Sequence, residues 1–462
     1  MNKAKLTLLP LTLLLVTLLP TLLGGAIKPY YGGAIAMRLN EPASFNLNTA
    51  SYSNLIFYSL IYDNFFYLGK DGAITSHIFQ DYRYDPAAKT LFLTLKENLS
   101  FSNGKPLTAK NIQVSLKVYM ASELFTAGRL NKAVKAVRLS GDQVAIELMA
   151  DNPDIVSLLT APELVVLAED EQSFSGVFYP LEWEKGHHLT LRANPYYAGG
   201  RAYLDTVRVL FSEGPVPDLF LAGPGQFKDN FLEFDSGIFQ NIYLCFLQSD
   251  IGQNTKIALF SLLKRFNEAT GFRFRELNSL TSDEESPVAI RIKGLSQQKT
   301  AAILKFSEIK LYILSSLSNL EKDLAAFLKG TNLRIETQFI DNSQFLAFLD
   351  SAAIKYALVD KIFQKKFPAE EKLGRILKES SFNRFNAQYL RMLSELEEAR
   401  FSNSQELLLE QSARISEAII NDGFIFPLFQ KTYSLYVRKS WPGIEIDYYG
   451  RPLLQKVSKN NE

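Results

Sequence analysis

The sequence predicts an α/β protein that is built from two lobes. The chain has 462 residues, and a single hydrophobic core stops growing at roughly 250 to 300 residues. Short strand patterns dominate the amino-terminal half, whereas strands and helices alternate between residues 309 and 359. Such alternation is typical of a parallel sheet with right-handed crossovers. We therefore expect two lobes.

The amino terminus has the pattern of a secretory signal over residues 1–26. Two lysines precede a leucine-rich run from Leu6 to Leu23, and Gly24-Gly25-Ala26 supplies the small residues that a signal peptidase accepts. We expect cleavage after Ala26 and an extracytoplasmic or periplasmic protein. The alternative is an uncleaved membrane anchor, because the apolar run approaches the ~20 residues that span a bilayer.

Alternating apolar residues predict short strands in the amino-terminal half. The pattern predicts a strand from Gly33 to Leu39, a hairpin from Tyr82 to Lys96 and a short strand from Leu164 to Leu167. The segment Asn103-Gly104-Lys105-Pro106 is typical of a turn, and Thr108 offers a hydroxyl that can cap the helix after it.

The carboxy-terminal half contains a β-α-β-α-β pattern. Its predicted strands are Ile309–Ile313, Leu333–Ile340 and Tyr356–Val359. Ser318 and Glu321 have the spacing of a capping box, which predicts a helix start at Ser318. In sheets of this kind, ligands bind beyond the carboxyl ends of the strands.

The last part of the chain returns to strand patterns. The segments Phe424–Phe429, Tyr433–Lys439 and Pro452–Val457 are each predicted to be strands. They follow a region, from Glu370 to Ile420, in which helical patterns dominate.

Composition and motifs point away from catalysis, metal binding and nucleic-acid binding. The 50 basic residues balance 49 acidic ones, whereas nucleic-acid affinity depends on a basic excess. The adjacent His187 and His188 open a strand pattern, so their side chains are expected on opposite faces and cannot chelate one ion. Cys245 lies in an apolar run and is expected to be a buried, inert thiol. We predict a protein that is not an enzyme and has no cofactor.

Four stretches of the sequence resemble the bacterial extracellular solute-binding proteins of family five. The most specific are Phe101–Lys117, FSNGKPLTAKNIQVSLK, and Asn194–Phe211, NPYYAGGRAYLDTVRVLF. Tyr31–Asn46 resembles the family's first strand and acidic loop, and Ala413–Arg438 resembles its closing helix and strand. The chain departs from the family pattern at Asn111, where aspartate is usual.

The resemblance implies the two-lobed periplasmic-binding-protein fold, type II, of the large peptide-binding class, with a hinge and an interlobe ligand cleft. Transferred to this chain, lobe I covers residues 27–245 with an inserted β-rich subdomain at about 70–190. Lobe II covers residues 246–422, and residues 423–462 return to lobe I.

The resemblance also implies a function. The chain is expected to be a monomeric solute-binding protein that binds peptides and delivers them to ABC-importer permease and ATPase subunits on other chains. Two alternatives remain. The same fold could bind a non-peptide solute such as a metal chelate or an oligosaccharide, or a degenerate member could act as a sensory or interaction subunit.

The resemblance indicates two candidate ligand-binding residues, Glu41 and Tyr243. Glu41 follows the first strand and matches an acidic loop position of the family, and its alternative role is a solvated or capping carboxylate. Tyr243 falls in the strand that crosses between the lobes in the family, and its alternative role is a core tyrosine.

Two further candidates are Asp360 and Phe125. Asp360 ends a strand where peptide binders continue into an acidic loop, so it is a candidate partner for a ligand ammonium. The loop after it is basic here, with Lys361, Lys365 and Lys366, which favours an anionic ligand group unless these lysines face water. Phe125 is expected to line the cleft or to pack in the core.

Overall fold

A computed structural model describes residues 31–458 with interruptions, and the predicted signal segment lies outside the described residues. The undescribed positions within this range are 43, 46–51, 70, 123, 171, 213, 228, 249, 268–273, 278–279, 281–291, 293, 296–303, 305–307, 332, 342–343, 346, 349–352, 365–368, 380–390, 393, 397, 399–404 and 442.

Nineteen strands are assigned in the described parts of the chain. In chain order they are β1 (Ala34–Arg38), β2 (Tyr67–Leu68), β3 (Ile74–Thr75), β4 (Phe79–Asp85), β5 (Thr90–Leu95), β6 (Val134–Ser140), β7 (Gln143–Leu148), β8 (Phe178–Glu184), β9 (His188–Ala193), β10 (Thr206–Leu210), β11 (Leu219–Ala222), β12 (Phe231–Phe246), β13 (Arg275–Glu276), β14 (Ile309–Leu314), β15 (Ile335–Ile340), β16 (Tyr356–Gln364), β17 (Ile425–Arg438), β18 (Glu445–Ile446) and β19 (Pro452–Leu453).

The main helices of the described residues have well-defined bounds. They are α1 (Tyr52–Ile61), α2 (Ala109–Ala121), α3 (Phe125–Ala133), α4 (Ile155–Leu158), α5 (Gln253–Lys264), α6 (Glu321–Gly330), α7 (Ala369–Glu379) and α8 (Gln405–Asp422), and a 3₁₀ helix at Ser315–Leu320 leads directly into α6.

Eleven strands form one sheet that extends through the molecule. Its order is β15-β14-β16-β12-β17-β11-β1-β10-β9-β8, and β13 pairs with another part of β17. Strand β14 is parallel to both β15 and β16, so the parallel unit predicted from the β-α-β-α-β pattern is confirmed.

Strands β12 and β17 are the longest in the sheet and pair with each other along most of their length. Their antiparallel register runs from Phe231↔Arg438 to Cys245↔Ile425 and is interrupted by two irregularities. At about 3.3 Å per residue, the 16 residues of β12 span roughly 50 Å. A pair of this length can belong to two hydrophobic cores at once.

The hydrophobic cores divide the molecule into two lobes. One set of buried residues includes β1, β9, β10 and α1, together with Ile238, Leu435 and Val437 from one end of β12 and β17. Another set includes buried residues of α5, β14 and β16, together with Phe239, Ile242 to Phe246, and Ile425, Phe426, Leu428 and Phe429 from the other end. We call the first part lobe I and the second part lobe II; the boundaries predicted from the sequence stay a prediction.

Lobe I carries a second sheet with a core of its own. Strands β4, β5, β7 and β6 form this four-stranded sheet, and their inner side chains pack with α2, α3 and α4. The hairpin predicted at Tyr82–Lys96 is the β4–β5 hairpin, which begins earlier, at Phe79.

The residues after β17 also pack into lobe I. Trp441, Ile446 and Val457 are buried in its main core. Arg451 donates from Nη1 to Asn64 Oδ1 at 2.9 Å and from Nε to Asp447 Oδ2 at 2.6 Å. The bond to Asn64 fastens the carboxy-terminal segment to the turn after α1, and the bond to Asp447 stabilises the segment itself.

The helix after Thr108 begins as predicted. Asn111 Oδ1 accepts hydrogen bonds from the backbone nitrogen of Thr108 at 2.9 Å and from its hydroxyl at 3.0 Å. Asn111, the departure from the family pattern, therefore still satisfies the polar groups at the start of α2.

Three local predictions are wrong. Helix α6 starts after Leu320 rather than at Ser318, because the 3₁₀ turn occupies the residues before it. The segment Leu164–Leu167 forms only one isolated bridge, between Val165 and Asn64. The two strands predicted at Phe424–Phe429 and Tyr433–Lys439 are one continuous strand, β17, because the partner β12 is itself continuous.

Gly176 has no room for a side chain. A Cβ placed on it would lie 2.3 Å from the carbonyl carbon of Ile61 and 2.4 Å from the nitrogen of Tyr62. We expect Gly176→Ala to lower the free energy of unfolding by roughly 1 to 3 kcal/mol, as overpacking does in cores, measured by urea denaturation. Gly214→Ala is the matched control, since a Cβ added there would have no neighbour within 4 Å. Equal stability losses in both variants would contradict the steric explanation.

Lys264 gives stability a dependence on pH. It is buried at the end of α5, where its ammonium donates to the backbone oxygen of Leu277 at 2.8 Å, and burial lowers its pKa from 10.5 to about 8. Between these values the unfolded chain holds the proton more tightly than the folded one, so stability rises with pH.

We expect this rise to be absent from Lys264→Met. Measured by urea denaturation, the free energy of unfolding of the wild type minus that of the variant should increase by up to roughly 3 kcal/mol between pH 7 and pH 10.5. Lys117→Met, an exposed position in α2, is the control. A constant difference between wild type and Lys264→Met across this window would contradict the assignment.

Candidate functional site between the two lobes

Helices α3 and α7 face each other across the boundary between the lobes. Helix α3 belongs to lobe I, where Ala127 and Leu130 are buried, and α7 belongs to lobe II, where Leu373 and Ile376 are buried. The sequence of α7, AEEKLGRILKE, is strongly amphipathic, so one face enters the lobe II core while charged residues remain to meet lobe I.

Charged side chains from both lobes form ion pairs at this boundary. Arg375 of α7 donates from Nη2 to Glu163 Oε1 of lobe I at 2.5 Å. It also donates to Glu371, one helical turn earlier, at 3.0 Å from Nη2 and 3.3 Å from Nε. Arg129 Nη1 of α3 lies 3.7 Å from Glu371 Oε2. We call these four residues the interlobe charge cluster.

The interlobe charge cluster is almost completely removed from solvent. The side chains of Arg129, Arg375, Glu371 and Glu163 are 8%, 8%, 9% and 0% exposed. Burial raises the pKa of the Glu163 carboxyl and the nearby Arg375 opposes this shift. Removing one partner from a buried pair typically costs about 3–5 kcal/mol, because the other charge is left without a counterion.

A small cavity lies beside Glu163 on the lobe I side. Ser115, Tyr119 and Ser122 of α2 and the adjoining turn line it together with Glu163, and it has room for about one water-sized group. Among the described residues, Glu163 Oε2 has no hydrogen-bond partner. The carboxylate therefore has one oxygen paired and one available acceptor.

Two further contacts support α7 and the interlobe boundary. The Lys372 ammonium lies 5.3 Å from the ring centroid of Phe239 in β12, which is within the range of a cation–π contact. Lys132 Nζ of α3 lies 3.4 Å from Ser394 Oγ of lobe II. Helix α7 thus contacts the strand that joins the lobes, and α3 makes a second polar contact across the boundary.

Polar side chains cluster where β12 and β17 pass from one lobe to the other. Gln240 donates to Asp360 Oδ2 at 2.7 Å and accepts from the Tyr433 hydroxyl at 2.7 Å. Ser316 donates a short hydrogen bond to Asp360 Oδ1. These bonds join three strands of the sheet and the 3₁₀ helix at the hinge.

On the other face of the hinge, Tyr243 is fully buried. Its hydroxyl donates to the backbone oxygen of Leu280 at 2.8 Å and accepts from Asn241 Nδ2 at 2.9 Å. Burial raises the pKa of this hydroxyl. Tyr243 therefore exposes no surface between the lobes in this conformation.

The four candidates from the sequence occupy three separate places. Asp360 and Tyr243 lie on neighbouring strands of the hinge, and Phe125 begins α3 at the interlobe boundary, although its side chain lies outside the described residues. Glu41 lies in lobe I and accepts from Trp183 Nε1 at 2.9 Å and from the nitrogen of Gly186 at 3.0 Å. The structure does not bring the four together.

The basic loop predicted after Asp360 is described only at its start. Lys361 is the next residue of β16 and is partly buried, whereas Lys365 and Lys366 lie outside the described residues. The expectation that these lysines favour an anionic ligand group stays a prediction.

Sequence reasoning missed the interlobe charge cluster. The spacing of Glu371 and Arg375 is that of an i,i+4 pair on a helix, which was a usable signal for one contact. No local pattern marks Glu163 or Arg129 as their partners, because these contacts depend on how the lobes meet.

Metal-binding clusters and membrane-spanning helices are both absent from the described part of the chain. Its residues contain no group of three or more histidine, cysteine, aspartate or glutamate side chains that could hold a metal ion. Among these residues, too, no helix combines the length and apolar character needed to cross a membrane.

Glu41 anchors the turn between β8 and β9. We expect Glu41→Ala to lower the free energy of unfolding by about 1 to 3 kcal/mol, because the indole of Trp183 loses its acceptor, and to change the tryptophan fluorescence of the folded protein. Urea denaturation followed by fluorescence checks both effects. Glu97→Ala, at an exposed turn position, is the control; unchanged stability and fluorescence in Glu41→Ala would contradict the anchoring role.

Part of the sequence matches a known family model and a curated protein. Residues 73–223 match the model of the bacterial extracellular solute-binding proteins, family 5 middle region. The nickel-binding protein NikA of Staphylococcus aureus is 23% identical over 158 residues, which are 33% of this chain and 32% of NikA. The alignment thus spans about a third of that relative's length.

Solved structures show the fold over nearly the whole chain. NikA of S. aureus in complex with Ni(L-His)2 superposes with a TM-score of 0.71 at 15% identity, covering 92% of this chain and all of that one. AppA of Bacillus subtilis with a nonapeptide gives 0.70 at 14% identity, covering 94% and 100%. OppA of Haemophilus influenzae with RPPGFSPFR gives 0.72 at 15% identity, also covering 94% and 100%.

These comparisons confirm the predicted two-lobed periplasmic-binding-protein fold. The family model covers the region that contains the second sheet of lobe I and strands β8 to β11. The structural likeness extends the correspondence to both lobes. The chain is thus similar, over residues 73–223, to the bacterial extracellular solute-binding proteins, family 5, and it shares the fold of these solved structures over more than nine tenths of its length.

Proposed function

We propose that the chain is the extracytoplasmic solute-binding component of an ABC importer and that it takes a small ligand, foremost a peptide, between its lobes. The observation that carries the proposal is the interlobe charge cluster, in which each lobe contributes a guanidinium and a carboxylate to one boundary. A ligand held there contacts both lobes, which is the condition for ligand binding to favour closure.

The charges of the cluster favour a ligand that carries both signs. Glu163 and Glu371 can accept from an ammonium group, and Arg129 and Arg375 can donate to a carboxylate. Charge-assisted hydrogen bonds of this type are about twice as strong as neutral ones. A short peptide offers both groups at its termini, whereas a neutral oligosaccharide offers neither and gains no ion pair from the cluster.

The hinge supplies a route for closure. Strands β12 and β17 are continuous through the boundary, and their register is irregular between Asp235 and Ile238 and between Ile242 and Tyr243. Irregularities of this kind bend a strand and raise its local twist. We infer that the lobes rotate about this region while the ladder on either side stays intact.

The residues predicted from the sequence enter the proposal in different ways. Phe125 begins α3 at the boundary and is proposed to line the ligand site. Asp360 is held by Gln240 and Ser316, so it is proposed to orient the hinge and to reach a ligand ammonium only when those bonds rearrange. The polar groups of Tyr243 and Glu41 already have hydrogen-bond partners within the protein. Their role as ligand contacts is therefore proposed from the family resemblance alone.

The remaining parts of the proposal concern cell biology. We infer that the chain binds rather than catalyses, that residues 1–26 direct its export, and that permease and ATPase subunits on other chains complete the importer. Peptide-binding and nickel-chelate-binding structures share this fold, so the ligand class depends on the site and not on the architecture.

The ligand can be identified directly. Native mass spectrometry of the exported protein, followed by release and sequencing of co-purifying molecules, should give heterogeneous short peptides. A single metal-containing or carbohydrate mass would retain the importer role and replace the solute. A protein that carries nothing and shows no thermal shift with peptides, Ni(L-His)2 or oligosaccharides would contradict solute binding and support the interaction-subunit alternative.

Variants of the interlobe charge cluster test the location of the site. We expect Arg129→Gln to weaken binding of the identified solute at least about tenfold, because one charge-assisted hydrogen bond is lost; isothermal titration measures the change. Arg414→Gln, which alters an exposed lobe II ion pair with Glu395, is the matched control. Equal affinities of Arg129→Gln and the control would place the ligand elsewhere.

A further inference from the structure

The interlobe charge cluster contains two reciprocal ion pairs. Arg375 of lobe II reaches Glu163 of lobe I at 2.5 Å, and Arg129 of lobe I approaches Glu371 of lobe II at 3.7 Å. Each lobe therefore contributes one cation and one anion, and each charge meets its opposite across the boundary. This arrangement joins the lobes through side chains of the chain itself.

Glu163 has the features of a receptor for a cation. Its side chain is 0% exposed, so its charge cannot be screened by water. One carboxylate oxygen accepts from Arg375, and the other has no partner among the described residues. The water-sized cavity beside it is lined by Ser115 and Ser122 and by apolar side chains. Both hydroxyls already donate to backbone oxygens, so Glu163 is the charged acceptor at this place.

The Arg375 guanidinium reaches this carboxylate from the opposite lobe. It is a planar donor on a side chain that is itself 8% exposed, and Glu371 on the preceding turn holds two of its N–H groups. Its head group is chemically similar to the ammonium or guanidinium of a ligand. A contact made by a lobe II group to lobe I is also the contact that a bridging ligand would make.

We propose that Glu163 is a cation-receiving subsite and that the Arg375 guanidinium fills it in the ligand-free protein, so that the lobes close on an internal substitute for the ligand. A solute with a primary ammonium or guanidinium group enters by displacing Arg375 from Glu163. Displacement by a solute rests on the proposed solute-binding function, whereas closure on internal ion pairs does not.

This arrangement makes the ligand compete with the protein's own side chain. The apparent affinity for a ligand falls in proportion to the fraction of protein that is ready to bind it. A solute without a cationic group leaves Glu163 paired with Arg375 and gains nothing at this subsite. The contact thus selects for cationic groups and suppresses binding of neutral solutes.

The lobe-to-lobe distance in the ligand-free protein tests the proposal. Spin labels on cysteines introduced at Lys135 of lobe I and Lys322 of lobe II, both exposed, report this distance by pulsed electron paramagnetic resonance, while Cys245 is buried and stays unlabelled. The wild type should show mainly the short distance. Arg375→Ala should lower the closed-to-open ratio at least about tenfold, since an unpaired buried charge is costly.

Chemical rescue then tests the subsite itself. Millimolar methylguanidinium or methylammonium should restore the closed-to-open ratio of Arg375→Ala by most of the lost factor, because the free cation takes the place beside Glu163. Sodium chloride at equal ionic strength should not. The double variant Glu163→Gln/Arg375→Ala should remain open with every cation, and Arg414→Ala should behave as wild type.

Several results would overturn the proposal. They are a ligand-free wild type that is mainly open, an unchanged distance in both Arg375→Ala and the isosteric Glu163→Gln, and rescue of equal size with and without Glu163. Circular dichroism confirms folding of each variant, and Glu163→Gln replaces Arg375→Ala if the latter does not fold. Because no solute is required, failure to find a peptide ligand would not alter these outcomes.

Discussion

Strands β12 and β17 share one antiparallel ladder that begins in lobe I, at Phe231 and Arg438, and ends in lobe II, at Cys245 and Ile425. Backbone hydrogen bonds in a sheet leave little freedom along the strand, so both lobes must be built outward from this pair. Lobe I adds β11 and β1 on the side of β17, and lobe II adds β16 and β14 on the side of β12. Relative motion of the lobes is therefore confined to bending and twisting at the irregular points of the ladder.

The interlobe charge cluster is placed by that constraint. Helix α7 follows β16 and packs against β12 through Lys372 and Phe239. This contact fixes the position of α7 along β12, with its charged face toward lobe I. Buried ion pairs add little net stability, because desolvation offsets most of the attraction, yet a single unpaired member is costly. Such a pair therefore favours one relative orientation of the lobes, although it adds little to the stability of the fold.

The stability of each lobe comes from apolar packing instead. Helix α1 is apolar on nearly every side, and its residues Ile56, Phe57 and Leu60 are buried in lobe I. In lobe II, Leu259, Phe260 and Leu263 of α5 are buried. The free cysteine lies in the latter core. Because each lobe has its own core, changes at the boundary can affect closure without unfolding either lobe.

Fold and site were predictable from the sequence to different degrees. Chain length predicted the two lobes, and local patterns predicted the parallel unit of β14, β15 and β16 and the helix that begins after Thr108. Strand Ile425–Arg438 was predicted as two strands, since its continuity is imposed by β12 and not by its own residues. The capping signal at Ser318 failed because a 3₁₀ turn leads into α6.

The candidate site depended on tertiary structure to a greater extent. The helical period fixes Glu371 and Arg375 on one face of α7, but Glu163 lies 212 residues from Arg375 in the chain, and no local pattern specifies that contact. Likewise, the sequence identified Glu41 as an acidic residue after a strand. Only the packing of β8 and the following turn brings the Trp183 indole close enough to donate a hydrogen bond to its carboxylate. Local periodicity determines which residues share a face, whereas the assembly of two lobes around a common strand pair decides which faces meet.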